Sequence, residues 1–393
     1  MSSPLYGQLA VSLKGGAASF ILAHGDESLA PVDQFLEGVG HLCPFLGRLM
    51  TREKTRKERV LAASPQNSFA ALLPDPEAAS LPLDELKLHL RKARNDIALG
   101  VALADLAKIF SLDEVTETLS RLGDSSVRIA LEGAARTTAQ LRGVSFESEP
   151  TLHHGVAIIA MGKLGARELN YSSDIDLVAV YDPERAGLSP ESRLDAKALA
   201  IKTVQAMVDI LSEQTTEGFV FRTDLRLRPN PGATNVAVAI SAAERYYEEY
   251  GQNWERAAFI KARPCAGDLE VCDVFEKMIR PFVWRRTLDF GAVADIHAVK
   301  KQIHAEKGRP DLEVPGADVK LGPGGIREIE FFAQTQQLLL GGRDPSLRSR
   351  RTLEAINALA QARHIDEETA ARLTENYSYL RSVEHRLQMK EDA

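Results

Sequence analysis

Apolar positions in the first third of the chain recur with a helical period. Between Leu81 and Ile109, Leu86, Leu90, Ile97, Val101, Leu103, Leu106 and Ile109 fall mostly on one face, with the charges of LDELKLHLRKARND between them. This spacing predicts a helix packed on one side and solvated on the other. Asp113–Leu141 repeats the pattern, with Val115, Leu119, Leu122, Val127, Ile129 and Leu131 as expected core positions. Asp113 is the expected cap of that helix, because a short carboxylate accepts from exposed first-turn amides. No residue before position 140 suggests catalysis.

The period changes after the polar, Pro-containing stretch 143–154, which reads as a boundary. Val156–Met161 is a short Val/Ile run, the signature of a buried strand. Gly162–Gly165 reads as a turn, Asp174–Tyr181 as a second strand, Ser192–Thr216 as a helix and Phe219–Leu227 as a third strand. Pro229, Pro231 and Gly232 end that strand. Ala242–Ala262 and the chain from Cys272 onward read as helical, apart from a Gly/Pro-rich interruption at 307–325. The expected fold class is α+β: mostly helical, with a small mixed β-sheet domain flanked by helical domains. The expected domains are a helical one at 1–150, a sheet domain carrying the site at 151–265, and a helical region at 266–393. The last residues run in a helical pattern with no stop signal, so the C-terminal region is expected to be truncated.

Composition narrows the class. The chain has 393 residues, of which 44% are hydrophobic and 26% charged, as expected of a globular protein of two to three domains at about 150 residues each. The net charge of −7 and the absence of a basic, aromatic-interleaved tract speak against nucleic acid. No apolar stretch approaches the ~18 residues that span a bilayer. The 17–23 segment is too short for a signal peptide, and a cytoplasmic location is expected. Cys43, Cys265 and Cys272 are too few for a disulfide framework and suit buried packing in a reducing compartment. His297 and His304 share a helix face without a third ligand and His153–His154 lies in the boundary segment, so a zinc site is not expected.

The chemistry concentrates in Met161-Gly162-Lys163-Leu164-Gly165 and Ser172-Ser173-Asp174-Ile175-Asp176. Residues two apart on a strand project to one side, so Asp174 and Asp176 share a face. Two unpaired carboxylates so close repel, and a hard divalent cation such as Mg²⁺ relieves the repulsion. A D-x-D alone also reads as a solvated strand end or a turn cap. Asp224, on the polar face of the next predicted strand with Arg222, Arg226 and Arg228 and opposite Phe221, Leu225 and Leu227, adds a third carboxylate. Three such acids suit a two-metal site for in-line phosphoryl displacement. The arginines then read either as phosphate neutralisers or as a solvated basic face. Gly162 and Gly165 would let backbone amides approach phosphates, and Lys163, Ser172 and Ser173 would contact them. Each of these also has a plain reading as turn chemistry. Gly322–Phe332 offers a second candidate anion site, a glycine-rich turn opening a helix with Arg327 as donor and Glu328 or Glu330 near the metal or the arginine. Trp254 is expected to pack rather than to stack on a base.

These features resemble the nucleotidyltransferase fold shared with DNA polymerase beta. The longer strings MGKLGARELNYSSDIDLVAVYD, DLRLRPNPG, YYEEYGQNWERAAFIKARPCAGD and GPGGIREIEFFAQTQQLLLGGRDPSLRS are similar to the glutamine synthetase adenylyltransferase family. That resemblance implies a bifunctional enzyme with two such units, one adenylylating a tyrosine of glutamine synthetase with ATP and the other removing AMP by phosphorolysis. Asn170 and Arg327-Glu328 are similar to the adenylyl-removing copies. Ala160, Ala166 and Pro231 depart from the family pattern. The resemblance implies Mg²⁺ on Asp174, Asp176 and Asp224, which are also the catalytic residues. Gly162, Lys163, Gly165, Ser172, Ser173, Arg226, Arg228 and Arg327 are then the phosphate and nucleotide contacts. The implied partners are adenylylated glutamine synthetase, inorganic phosphate and ADP, and a P-II-type signal protein. The alternatives are adenylylation itself and a non-catalytic regulatory module.

Overall fold

The computed structural model describes residues 4–144, 155–286 and 318–391. The boundary stretch beyond residue 144, the two histidine pairs and most of the Gly/Pro-rich interruption lie outside them. The N-terminal part is helical throughout: α1 (Leu5–Lys14), α2 (Ser19–Leu22), α3 (Pro31–Leu42), α4 (Pro44–Arg52) and α5 (Lys54–Ala62) precede two long helices, α6 (Leu83–Leu106) and α7 (Leu112–Arg142). Of the core positions expected in α6 and α7, all are buried except Ile109, which lies beyond the end of α6 and is half-buried. The cap of α7 is Ser111 rather than Asp113. The Ser111 hydroxyl accepts from the Glu114 amide while the Glu114 carboxylate accepts from the Ser111 amide, a reciprocal capping box. Asp113 sits in the first turn and pairs with Arg351 at 2.9 Å.

A five-stranded mixed sheet follows. β1 (Val156–Ala160) pairs antiparallel with β2 (Ile175–Tyr181) and, on its other edge, with β5 (Arg263–Gly267). β2 pairs in parallel with β3 (Thr223–Asp224) near its start and with β4 (Ala237–Ala239) near its end. Between them lie α8 (Gly162–Gly165), α9 (Ala196–Ser212), α10 (Ile240–Glu249) and α11 (Asn253–Phe259). Then come α12 (Leu269–Val283), α13 (Ile326–Leu340), α14 (Thr352–Gln361) and α15 (Glu367–Glu391).

The apolar run of β1 follows from burial on both faces. Ile158 and Ala160 point into the core shared with α6, α7 and α9, whereas Ala157 and Ile159 point into the one shared with α10, α11 and α12. The helices α13, α14 and α15 build a third core around Ile326, Ile329, Ile356 and Tyr377.

Two sequence expectations change here. The third strand spans Thr223–Asp224 rather than Phe219–Leu227, because the Asp224 carboxylate captures the Arg226 amide at 2.8 Å and turns the chain. The helix expected over Ala242–Ala262 is two helices broken at Tyr250–Gln252, where α10 ends and Gln252 caps α11. The chain then enters β5, and its Arg263–Gly267 strand and the packing of α12 on β1 and β5 carry the sheet layer beyond residue 265.

Candidate functional site

The end of β1 and the start of β2 lie at the same edge of the sheet, joined by the 161–174 loop. Two features of the pairing place the acids. Asp176 is the register partner of Asp224 on parallel strands, so both side chains project to one side. Asp174 precedes Asp176 by two residues and joins them at the same cavity. That cavity has a volume of about 900 Å³. Gly162, Lys163, Ser172, Ser173, Asp174, Asp176, Asp224, Arg226 and Arg327 all line it.

Gly162 is built into the carboxylate site. Its φ of +51° is in the left-handed region, and a Cβ there would meet Asp176 Oδ2 at 2.4 Å. Burial, and then the Asp224 and Asp174 carboxylates, push the Asp176 pKa upward against the opposing pull of Arg327 and Lys320. The two outer acids are held by arginines. Arg222 Nε donates to Asp174 Oδ1 at 2.5 Å, and Arg226 wraps Asp224 through its amide, Nε and guanidinium NH₂. These bonds lower the Asp224 pKa. Among the described residues, no group of three His, Cys, Asp or Glu stands as placed to hold a metal ion. The hard oxygen donors nevertheless fit a divalent cation at Asp176, whose carboxylate faces like charge. Arg226 engages both oxygens of Asp224, whereas Arg222 engages only Oδ1 of Asp174.

Several expected contacts take other roles. Gly165 is outside the cavity lining, and a Cβ there would meet the carbonyl oxygens of Lys261 at 2.1 Å and Ala160 at 2.6 Å. It is a close-packing glycine between β1 and the Lys261 backbone. Arg228 also lies off the cavity, its guanidinium donating to the carbonyls of Leu225, Pro231 and Thr234 to close the turn after β3. Lys163 lines the cavity but is mostly withdrawn from solvent and paired with Glu384 at 2.9 Å. Burial and the nearby Arg381 lower its pKa to about 8 despite that partner. The start of α13 offers no free amides, because those of Ile326, Arg327 and Glu328 donate to the carbonyls of Val319, Lys320 and Gly325. Only the Arg327 side chain remains there, stacked 5.2 Å above the Phe331 ring and 3.8 Å from Glu330. Trp254 is an exposed wall of the cavity, not a packed side chain.

Long-range contacts, invisible to spacing, hold the 161–174 loop. Glu168 is buried and accepts from Lys261 Nζ at 2.9 Å and from the Thr352 amide at 2.6 Å. The same Lys261 Nζ donates to Glu330 at 2.7 Å. Burial alone would neutralise this lysine, but Glu168 and Glu330 outweigh it and keep its pKa well above the ordinary lysine value. Glu330 responds in kind: burial pushes its carboxyl upward, and Lys261 and Arg327 pull it down to about 2. The helix α15 crosses the loop from outside. Arg381 donates to the Glu168 carbonyl at 2.7 Å and to the Asn170 side chain, and the Ser172 amide donates to Gln388 at 3.3 Å. His385 lies 3.2 Å from Asn170 and 3.4 Å from Asp105 on α6. Lys320, from the loop before α13, adds a cation to the cavity wall that the sequence reading passed over.

Comparison with known proteins places the chain in a family. The GlnE family model, described as glutamate-ammonia ligase adenylyltransferase, matches residues 38–278, and a GlnD PII-uridylyltransferase model matches 297–393. The chain is 49% identical over 361 residues to a bifunctional glutamine synthetase adenylyltransferase/adenylyl-removing enzyme of Xanthobacter autotrophicus, covering 91% of this chain and 36% of that protein. It is 46% identical over 380 residues to the protein of the same description from Rhizobium meliloti, covering 92% of this chain and 38% of that protein. The Caulobacter vibrioides protein is 46% identical over 353 residues, covering 89% and 36%. The chain therefore spans somewhat more than a third of the length of these curated relatives. With a family model matching more than half of its residues and relatives well above 40% identity, the chain belongs to the glutamine synthetase adenylyltransferase family.

Proposed function

We propose that this chain catalyses Mg²⁺-dependent phosphorolysis of adenylyl-tyrosine on glutamine synthetase, giving ADP and the unmodified tyrosine. The observation that carries the reading is the parallel pairing of Asp176 with Asp224, with Asp174 beside them, in a cavity also walled by Lys320 and Arg327. Asp174, Asp176 and Asp224 would hold Mg²⁺, which when bound neutralises phosphoryl charge on the attacking and leaving oxygens. The chain's own cations do the remaining charge work. Arg327 and Lys320 face Asp176 from α13 and the loop before it, where they would orient the entering inorganic phosphate. Ser172 and Ser173 line the same wall. A phosphate oxygen attacks the α-phosphorus, the bond from phosphorus to the tyrosine oxygen breaks, and that oxygen leaves as a phenolate (ordinary pKa ≈ 10) that takes a proton from water. Trp254 and Phe331 offer aromatic surface on the cavity wall for the adenine.

Asn170 and Arg327-Glu328 support the adenylyl-removing direction over adenylylation. Asn170 is buried under Arg381 and His385, so it acts by shaping the loop. A P-II-type signal protein is proposed as the regulatory partner, in keeping with the GlnD-type match over 297–393. The test is an end-point assay with adenylylated glutamine synthetase, Mg²⁺ and phosphate, following ADP by chromatography, beside Asp174→Asn/Asp176→Asn. ADP that requires phosphate and disappears in the double variant is the expected result. Product only from ATP and unmodified enzyme would reverse the direction, and no product either way would leave a regulatory module.

A further inference from the structure

Away from the carboxylates, a second cavity of about 560 Å³ is walled by Arg280, Arg286, Arg343 and Arg348 with Trp284. It lies past the C-terminal end of α13. Arg327, near the start of that helix, is fourteen residues before Gly341, so at 1.5 Å per residue the two cavities are about 20 Å apart. Four guanidiniums converge here in a chain whose net charge is −7. Among the described residues, no acidic side chain lines the cavity and none of the four forms an ion pair. Asp344, the nearest acid in sequence, is turned to the Ser346 amide and hydroxyl at 2.9 and 2.6 Å.

The convergence is built by close backbone packing. A Cβ at Gly342 would sit 1.8 Å from the Arg285 carbonyl oxygen, and one at Gly341 would sit 2.8 Å from the Trp284 ring. Only glycines let the turn after α13 press against the end of α12, and that contact brings Arg343 and Arg348 onto Arg280 and Arg286. Arg343 Nε donates to the Arg286 carbonyl at 3.1 Å. Arg348 donates to the Gly341 carbonyl at 2.6 Å and lies 5.4 Å over the Trp284 ring. Burial, and then the charge of Arg280, hold the Arg348 pKa below its ordinary value. Among the described residues, the fold thus keeps like charges together around an indole face; Asp344 acts on Arg348 electrostatically but forms no ion pair with it.

We propose that this cavity is a second, non-catalytic binding site for a phosphate-bearing small molecule, with Arg280, Arg286 and Arg343 on the phosphate and Trp284 beside it. Arginine forks match phosphate oxygens bidentately, and an indole face accepts either a guanidinium or a base. The inference is independent of the activity proposed above. Because α13 joins the two cavities, a ligand here would act at one end of the helix whose other end carries Arg327 and Glu330.

The chain contains two tryptophans, Trp254 and Trp284, so Trp254→Phe leaves Trp284 as the reporter. The experiment titrates this variant with inorganic phosphate, pyrophosphate and ADP at ionic strength held constant with KCl, following Trp284 emission. The expected result is a saturable change with at least one of the three. In Trp254→Phe carrying Arg280→Gln and Arg286→Gln, the apparent affinity should fall about tenfold or more, since two charge-assisted contacts are lost. Trp254→Phe with Asp176→Asn should titrate as the parent does, which separates this site from the catalytic one. A stronger response to ADP than to pyrophosphate identifies a nucleotide, and equal responses identify the phosphates alone. Where circular dichroism shows the double arginine variant misfolded, Arg343→Gln, whose side chain is at the surface, takes its place. No saturable response to any of the three anions, or an unchanged titration in the arginine variants, overturns the proposal.

Discussion

Replacing Gly162 by alanine separates the geometry of the site from the stability of the fold. The φ of +51° places residue 162 in the left-handed region, where an L side chain costs roughly 1–2 kcal/mol. The added Cβ would stand 2.4 Å from Asp176 Oδ2, so the carboxylate must retreat by about 1 Å to reach ordinary contact. Asp176 is the end of a side chain and can move, so the fold survives. The expected loss of stability is about 1–2 kcal/mol. A displacement of that size at a reacting centre costs on the order of 100-fold in rate. Gly165→Ala is the matched control. Its Cβ would strike two backbone carbonyl oxygens, at 2.1 and 2.6 Å, which cannot swing aside. It should lose about 3 kcal/mol or more through overpacking. Urea denaturation and the rate of the proposed phosphorolysis, measured on both variants, give the comparison. If Gly162→Ala keeps its rate within about twofold, the contact between the glycine and Asp176 does not hold the carboxylate, and the reasoning fails.

Other consequences follow from the buried ion network. Lys261→Met leaves Glu168 and Glu330 buried without their shared cation and should destabilise the chain by about 3–5 kcal/mol in urea; a loss under about 1 kcal/mol would contradict the assigned pairing. Glu330, held at about 2 in the fold by Lys261 and Arg327 against its burial, contributes stability above its ordinary carboxyl value and loses it as pH falls toward 2. Stability should therefore decline between about pH 4.5 and 2, and Glu330→Gln should flatten that decline in an acid titration of the unfolding midpoint. Glu384→Gln removes the charge facing Lys163 and loosens the hold of α15 on the 161–174 loop. Hydrogen exchange at 163–173 should accelerate while exchange in α6 and α7 stays unchanged, and equal acceleration everywhere would show a global rather than local effect.

The sequence alone determined the elements whose signals are local. The 3.6-residue period of α6 and α7 and the apolar run of β1 are read within one segment, because each element buries a face set by its own repeat. The spacing of Asp174 and Asp176 belongs to the same class. The short strands β4 and β5 escaped because neither alternates strongly enough to outweigh its helical neighbours. Asp224 was legible as an acid, but its place opposite Asp176 is a register between strands distant in sequence. Gly165 and Arg228 carry phosphate-binding chemistry in sequence, yet two backbone carbonyls beside one and three around the other decide their use. Glu330 was legible only as a partner for the metal or for Arg327, and nothing local in the sequence joins it to Glu168 or Lys261. Their burial becomes favourable only when opposite charges from separate elements meet in a space closed to water. That meeting is a property of tertiary packing, since the attraction between ions depends on the separation and the exclusion of water that the fold imposes.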